Sequence, residues 1–153
     1  MSRRGRIEAI FLSTGAGQSV SAVGEADALP GTGLSGDRYH LGNGTYSTKP
    51  GPDRNVTLIA AEVLEELAGA GYAFEPGEHR RNLVTSGVDL NSLVGSEFQV
   101  GTVRLRGVRL CDPCAYLEEL TGRAGLLKAM VEKGGLRAEI LTGGTMRVGD
   151  AVG

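Results

Sequence analysis

Residues 98–110 read Phe98-Gln99-Val100-Gly101-Thr102-Val103-Arg104-Leu105-Arg106-Gly107-Val108-Arg109-Leu110. Phe98 and Val100 flank polar Gln99, and Val103 and Leu105 alternate with Arg104 and Arg106. A period of two is the signature of a half-buried strand. The connection between the arms is Gly101-Thr102, a two-residue turn of type II′, in which glycine supplies the positive φ of the first position. Within the second arm the alternation changes phase at Gly107. Val103 and Leu105 point one way, whereas Val108 and Leu110 fall on the opposite parity. A bulge at Gly107 reconciles them, and bulges often re-aim side chains beside active sites. The chain then runs directly into Cys111-Asp112-Pro113-Cys114.

Working outward, residues 6–12 predict a first strand through Ile7, Ile10 and Leu12, and 20–23 a second. Residues 56–59 are a β-prone run feeding a helix over 60–69. There Val63, Leu64, Leu67 and Ala68 make one apolar stripe, opposite Glu62, Glu65 and Glu66. Gly69 or Gly71 ends it. Residues 83–85 form a further short strand. A second helix is predicted over 123–133, with Leu126, Leu127, Met130 and Val131 as its stripe and Gly134-Gly135 as its stop. Residues 136–141 and 146–152 close the chain as strands around a Gly143-Gly144 turn. Residues 31–40 are too glycine-rich for regular structure, and 42–53 read as an exposed, mobile loop. No repeat recurs at a fixed period. About eight short strands and a pair of helices predict a mainly β fold, a β-barrel with a few peripheral helices, in one domain over 1–153.

Composition agrees. The chain has 153 residues, enough for a real core, and its 25 glycines are about twice the usual share. That excess suits many short strands joined by tight turns. A net charge of −2 and a pI near 5.7 argue against nucleic-acid binding. The basic cluster of Arg3, Arg4 and Arg6 reads as solvated surface. Glu8 interrupts the only early apolar run, so no signal peptide is read, and nothing approaches the roughly 18 apolar residues of a membrane span. A soluble, cytoplasmic protein with no membrane partner is expected. Two cysteines in one four-residue segment are not a secreted disulfide scaffold.

Cys111 and Cys114 admit three readings: buried small hydrophobes, a metal site, or a redox pair. Zinc would require more ligands, and only His40 and His79 are available, neither at finger-like spacing. A thioredoxin-like pair lacks its parallel βαβ surroundings. A thiol acts as nucleophile or soft-metal ligand only as thiolate, which basic neighbours favour. Arg104, Arg106 and Arg109 lie just upstream, although alternate strand positions do not all face one site. In Glu78-His79-Arg80-Arg81-Asn82 the arginines are either solvated charges or, pointing inward, planar forks for an oxyanion, with Asn82 a neutral donor. Gly36-Asp37-Arg38-Tyr39-His40 is either a turn with a surface charge pair or an anion cradle. Walker-type phosphate loops, G-x-S-x-G elbows and clustered hard-metal ligands are absent. One soft nucleophile and scattered arginines remain, a set suited to an anionic ligand with sulfur chemistry or a soft metal.

The ordered set of segments resembles the MOSC domain, named for the C-terminal region of molybdenum cofactor sulfurases. It runs through Gly36-Asp37-Arg38-Tyr39-His40, Val56-Thr57-Leu58-Ile59 with Glu62, and Arg80-Arg81-Asn82-Leu83-Val84-Thr85. It continues with Gly87-Val88-Asp89-Leu90, Leu93-Val94-Gly95, Phe98-Gln99-Val100-Gly101 and Leu110-Cys111-Asp112-Pro113-Cys114. Gly135-Leu136-Arg137-Ala138 and Val148-Gly149-Asp150 complete it. No single piece is specific; their order over nearly the whole chain is. The resemblance implies a MOSC-type β-barrel and a cysteine, Cys114, that receives sulfur or ligates molybdenum. It places Arg81 and Asn82, with Arg38 and His40, along the pocket of the molybdenum cofactor (molybdopterin). Cys111 corresponds to an extra cysteine of a subset. The pyridoxal-phosphate domain of full sulfurases is not in this chain, nor are the added segments of the amidoxime-reducing and N-hydroxylated-base-detoxifying enzymes.

Three functions follow as expectations. In the first, Cys114 takes a persulfide from a cysteine desulfurase and delivers it to the cofactor or another sulfur acceptor, with Arg81 lowering the thiol pKa. The second is a molybdenum-dependent reductase of N-hydroxylated compounds, fed by an electron-donor protein. The third is a non-catalytic regulatory module. Cofactor binding is common to the first two.

Overall fold

The hairpin forms as its alternation requires. Strands β7 (Glu97–Val100) and β8 (Val103–Leu110) pair antiparallel, with Val100 opposite Val103 and Phe98 opposite Leu105. Gly101 sits at φ 60°, the left-handed region open to glycine. The computed structural model describes residues 5–13, 20–30, 33–35, 55–71, 81–110 and 135–153. The other strands are β1 (Gly5–Ser13), β2 (Val20–Val23), β3 (Glu25–Leu29), β4 (Gly33–Leu34), β5 (Val56–Ala60), β6 (Leu83–Ser86), β9 (Leu136–Thr142), β10 (Gly144–Arg147) and β11 (Ala151–Val152). Helix α1 spans Ala61–Gly69, and a short 3-10 helix spans Leu90–Leu93.

Seven strands close into a barrel in the order β11-β7-β8-β9-β5-β6-β1, with β1 returning to β11; β2 hangs from β1 as an eighth. Closure is antiparallel except between β5 and β6, which are parallel and joined through α1. At the seam, Ile7 N donates to Asp150 O and Gly149 N to Ile7 O. Gly149, at φ 93°, is the third residue of the turn that carries Arg147 into Asp150, whose Oδ2 accepts from Arg147 N. A β-turn with positive φ there is of type II, which selects glycine.

Strand alternation sorts the apolar residues into two groups. Ile7, Ile10, Val56, Leu58, Leu83, Leu105, Leu136 and Ile140 fill the barrel interior. Phe11, Ile59 and Val84, on the opposite parity, pack with Leu67 of α1. Burying a side chain of this size contributes about 1.5–3 kcal/mol, so these faces dictate which way each strand is turned.

The phase change in β8 is the bulge that the sequence demands. Gly107 stands opposite Ala138 but Arg109 stands opposite Arg137, so Val108 is the extra residue. Beyond it, Leu110 faces Leu136 and rejoins the parity of Val103 and Leu105. Gly107 is clasped by the turn before β7: its N donates to Ser96 O, and its O accepts from Gly95 N. A Cβ there would collide with the carbonyl oxygen of Leu93. Only glycine fits.

Three features depart from the sequence reading. Strand β3 is additional to the predicted strands: Glu25-Ala26-Asp27-Ala28-Leu29 alternates exposed and buried, but its alanines and acids carry no β preference. The 31–40 stretch holds a two-residue strand, Gly33–Leu34, paired with Ala28 and Leu29. Residues 146–152 do not return beside β9. Instead β10 crosses to pair with β3 in a separate three-stranded sheet, and β11 alone re-enters the barrel. The 123–133 helix and the 42–53 loop lie outside the described residues. Among those residues no helix is long and apolar enough to cross a membrane.

One interior polar group gives a prediction. Thr85 projects between Ile7 and Ala60, is fully buried, and its Oγ1 has no hydrogen-bond partner among the described residues. Because an unsatisfied buried hydroxyl is penalised, Thr85→Val is expected to raise the unfolding free energy by about 1 kcal/mol. Urea denaturation at unchanged m-value reads it; a loss of stability of similar size would show that the hydroxyl is satisfied in the folded protein.

Candidate functional site

Four neighbouring strands align a row of polar side chains on the face opposite the barrel interior. Thr57 shares the parity of Ile59 and so leaves the interior. Arg137 is its partner across β5 and β9, and Arg109 is the partner of Arg137 across β9 and β8. Asn82, just before β6, meets Thr57 from the other side. Partners in register project to the same face.

Asn82 is only 1 % exposed and its amide is committed to the fold. Its Oδ1 accepts from Thr57 N at 3.1 Å and from Thr57 Oγ1 at 3.2 Å, while Nδ2 donates to Phe11 O at 3.1 Å. The Asn82 N–H in turn is shared between Thr57 O and Thr57 Oγ1. One side chain thereby ties β1, β5 and the start of β6 together. Its effect on the neighbouring Arg81 is to hold the backbone from which that guanidinium springs. Asn55, 3 % exposed, does the same between β5 and β9, its Oδ1 accepting from Ile140 N.

Arg137 is buried at 8 % exposure, and Arg81, the residue before Asn82, is buried at 7 %. Arginine is rarely buried this far without compensating negative charge or acceptors. Arg109, half-buried, stands directly opposite Arg137. Like charges in that relation repel, so acceptors or anions beside them are favoured, and each of the two already has a partner.

The bulge decides this. Arg104 and Arg106 share a face by simple alternation, and the extra residue at Val108 puts Arg109 on that face too, contrary to the expectation that the three diverge. Arg104 and Arg106 are engaged by Glu97 and Glu139 respectively. On the adjoining β1–β6 pair, the Glu8 carboxyl is held below the usual carboxylate range, first by a hydrogen bond from the Ser86 hydroxyl and then by Arg6.

Of the residues singled out from the sequence, Asn82 joins this row through Thr57, Arg109 joins it through Arg137, and Arg81 is buried one residue before Asn82. Cys114, Cys111, Arg38, His40 and His79 lie outside the described residues. Thr57, Arg109 and Arg137 gain their places from pairing. The signal that could have found Arg137 is its position next to a glycine stop and within a run of apolar strand residues, where a solvated arginine is out of pattern. Among the described residues no group of three or more His, Cys, Asp or Glu side chains could hold a metal ion.

Fold and side chains together define a closed β-barrel that carries buried Arg137 and half-buried Arg109 on the face opposite its interior, in line with an asparagine clamp. The MOSC domain family model matches residues 36–153, and the chain belongs to that family. Among solved structures it is similar to the YuaD protein of Bacillus subtilis, with a TM-score of 0.79 and 18% identity over 98% of this chain and 94% of that one. It is also similar to YiiM from Geobacillus stearothermophilus (TM-score 0.71, 16% identity, 97% of this chain and 73% of that one). YiiM from Escherichia coli gives a TM-score of 0.68 at 19% identity, over 96% of this chain and 68% of that one. At these identities the likeness is one of fold. No curated protein sequence matches the chain.

Proposed function

We propose that this protein binds the molybdenum cofactor and carries sulfur on Cys114 in the reducing cytoplasm. The observation that carries the reading is the buried guanidinium of Arg137 with Arg109 in register beside it, together with the buried Arg81 next to the Asn82 clamp, and with β8 running directly on in sequence into the cysteine segment. Their planar forks suit a phosphate such as that of the pterin. Asn82, already committed to Thr57 and Phe11, acts by positioning Arg81. When bound, the cofactor supplies a molybdenum centre able to accept sulfur.

The remaining chemistry belongs to the chain. The Cys114 thiolate attacks the outer sulfur of a persulfide presented by a cysteine desulfurase. A new S–S bond forms on Cys114, the donor's S–S bond breaks, and the donor cysteine leaves as thiolate. The role we assign to Arg81 is to favour the thiolate and steady the persulfide anion. On the resemblance in motif order we assign Arg38 and His40 to the same pocket.

The test is a persulfide trap and a molybdenum and zinc analysis on protein from a cofactor-replete host, beside Cys114→Ser and Arg81→Gln. We expect a trapped persulfide that disappears in Cys114→Ser. Cofactor affinity should fall roughly tenfold or more in Arg81→Gln, because a charge-assisted hydrogen bond is worth about 1.5–3 kcal/mol. Persulfide persisting without Cys114 overturns sulfur carriage. Stoichiometric molybdenum that depends on Cys114, with no persulfide, transfers the reading to the reductase; zinc in its place overturns both.

A further inference from the structure

A cavity of about 250 Å³ opens where the two apolar groups meet, and none of the residues of the guanidinium row lines it. Ala60, Val88 and Leu90 contribute to it from the interior group and Val63 from the α1 group. Gly135 completes the apolar part with backbone alone. Its two sides are braced: Glu62 Oε2 of α1 accepts from Gly87 N at 2.8 Å, tying the helix to the 87–91 segment. This bond holds α1 and the 87–91 segment together on either side of the cavity.

The cavity grades from buried Leu90 and Gly135 to exposed Asp89 and Asn91. The Asp89 carboxylate makes no hydrogen bond or ion pair among the described residues; only its backbone carbonyl is used, by Ser92. Although Asp89 precedes the 3-10 helix, its side chain does not cap it. An uncommitted carboxylate at the open end of an apolar pocket is complementary to a cation with an apolar body. The volume lies below the roughly 300–1,000 Å³ of drug-sized clefts, which limits that body to about one ring.

We propose that this cavity binds a small primary ammonium compound, its ring against Val63, Val88 and Leu90 and its ammonium on Asp89. This ligand is opposite in charge to the anion assigned to the guanidinium row, and the cavity shares no lining residue with that row, so either assignment stands without the other. Benzylammonium is the probe, with benzyl alcohol as its uncharged counterpart and benzoate as the opposite charge, each titrated into the full chain and followed by amide NMR shifts.

Benzylammonium is expected to shift residues 60–63, 87–91 and 135, and to bind about fivefold tighter than benzyl alcohol, the range of an exposed ion pair. Asp89→Asn should abolish that preference, and about 1 M salt should shrink it. Val63→Phe, which fills the cavity, should weaken both probes alike. Equal binding of alcohol and ammonium, a preference that survives in Asp89→Asn, tighter binding of benzoate, or shifts confined elsewhere would each overturn the proposal.

Discussion

Asn82→Ala is expected to lower the unfolding free energy by about 3–5 kcal/mol. The change removes the acceptor for both Thr57 N and Thr57 Oγ1 and the donor to Phe11 O, in a setting where Asn82 is 1 % and Thr57 5 % exposed. Each buried group left unsatisfied costs about 1–3 kcal/mol; Thr57 N and Phe11 O lose these bonds, while Thr57 Oγ1 still accepts from the backbone N–H of residue 82. Asn82→Asp separates the parts. It retains the acceptor for Thr57 but loses the donor to Phe11 O and introduces a buried charge, so its loss should grow as pH rises through the carboxyl's titration. Urea unfolding of both variants at two pH values checks this. A loss under about 1 kcal/mol for the alanine variant would mean that water replaces the amide, and that Asn82 is free to serve a ligand directly.

Gly135→Ala is expected to be worse, removing about 4 kcal/mol or more and lowering the yield of folded protein outright. Two independent causes act. Gly135 is at φ 101°, which a residue with a Cβ adopts only at about 1–3 kcal/mol. Its Cβ would also collide with Leu58 O and stand 3.2 Å from Ile59 Cα, both backbone atoms of β5. Backbone in mid-sheet cannot give way without breaking the Leu58–Leu136 register. Gly149→Ala isolates the clash, since Gly149 has nearly the same φ of 93° but no heavy atom within 4 Å of where its Cβ would stand. The thermal midpoint of Gly149→Ala should drop by only a few degrees. Equal losses in the two variants would show that the close approach of β9 to β5 relaxes at no cost.

These two residues also mark the limit of what periodicity reveals. The hairpin, its Gly101 turn, the Gly107 bulge and α1 were legible because each depends on neighbours within a few positions: alternation of period two, a helical stripe, a glycine where φ must be positive. Residues 136–141 read as a strand for the same reason. Strand β3 escaped because alanine, glutamate and aspartate carry helical or neutral preference, and only pairing with β10 holds them extended. Asn82 read as a ligand donor next to arginines. Its partners, Thr57 and Phe11, lie 25 and 71 positions away, so nothing local announces the clamp.

The site divides along the same line. By itself the sequence determined a β-rich, glycine-punctuated chain with a bulged strand leading into a two-cysteine segment, and the order of its short motifs determined membership in the MOSC family. These are properties of local alternation, steric permission and motif order, all written along one dimension. Only the tertiary structure decided that β1 returns to β11 to close the barrel and that Arg109 and Arg137 come face to face. The same is true of the cavity that joins α1 to the 87–91 segment. Those outcomes rest on register between strands distant in the chain, which burial of one face selects and which a shift of a single residue would reverse.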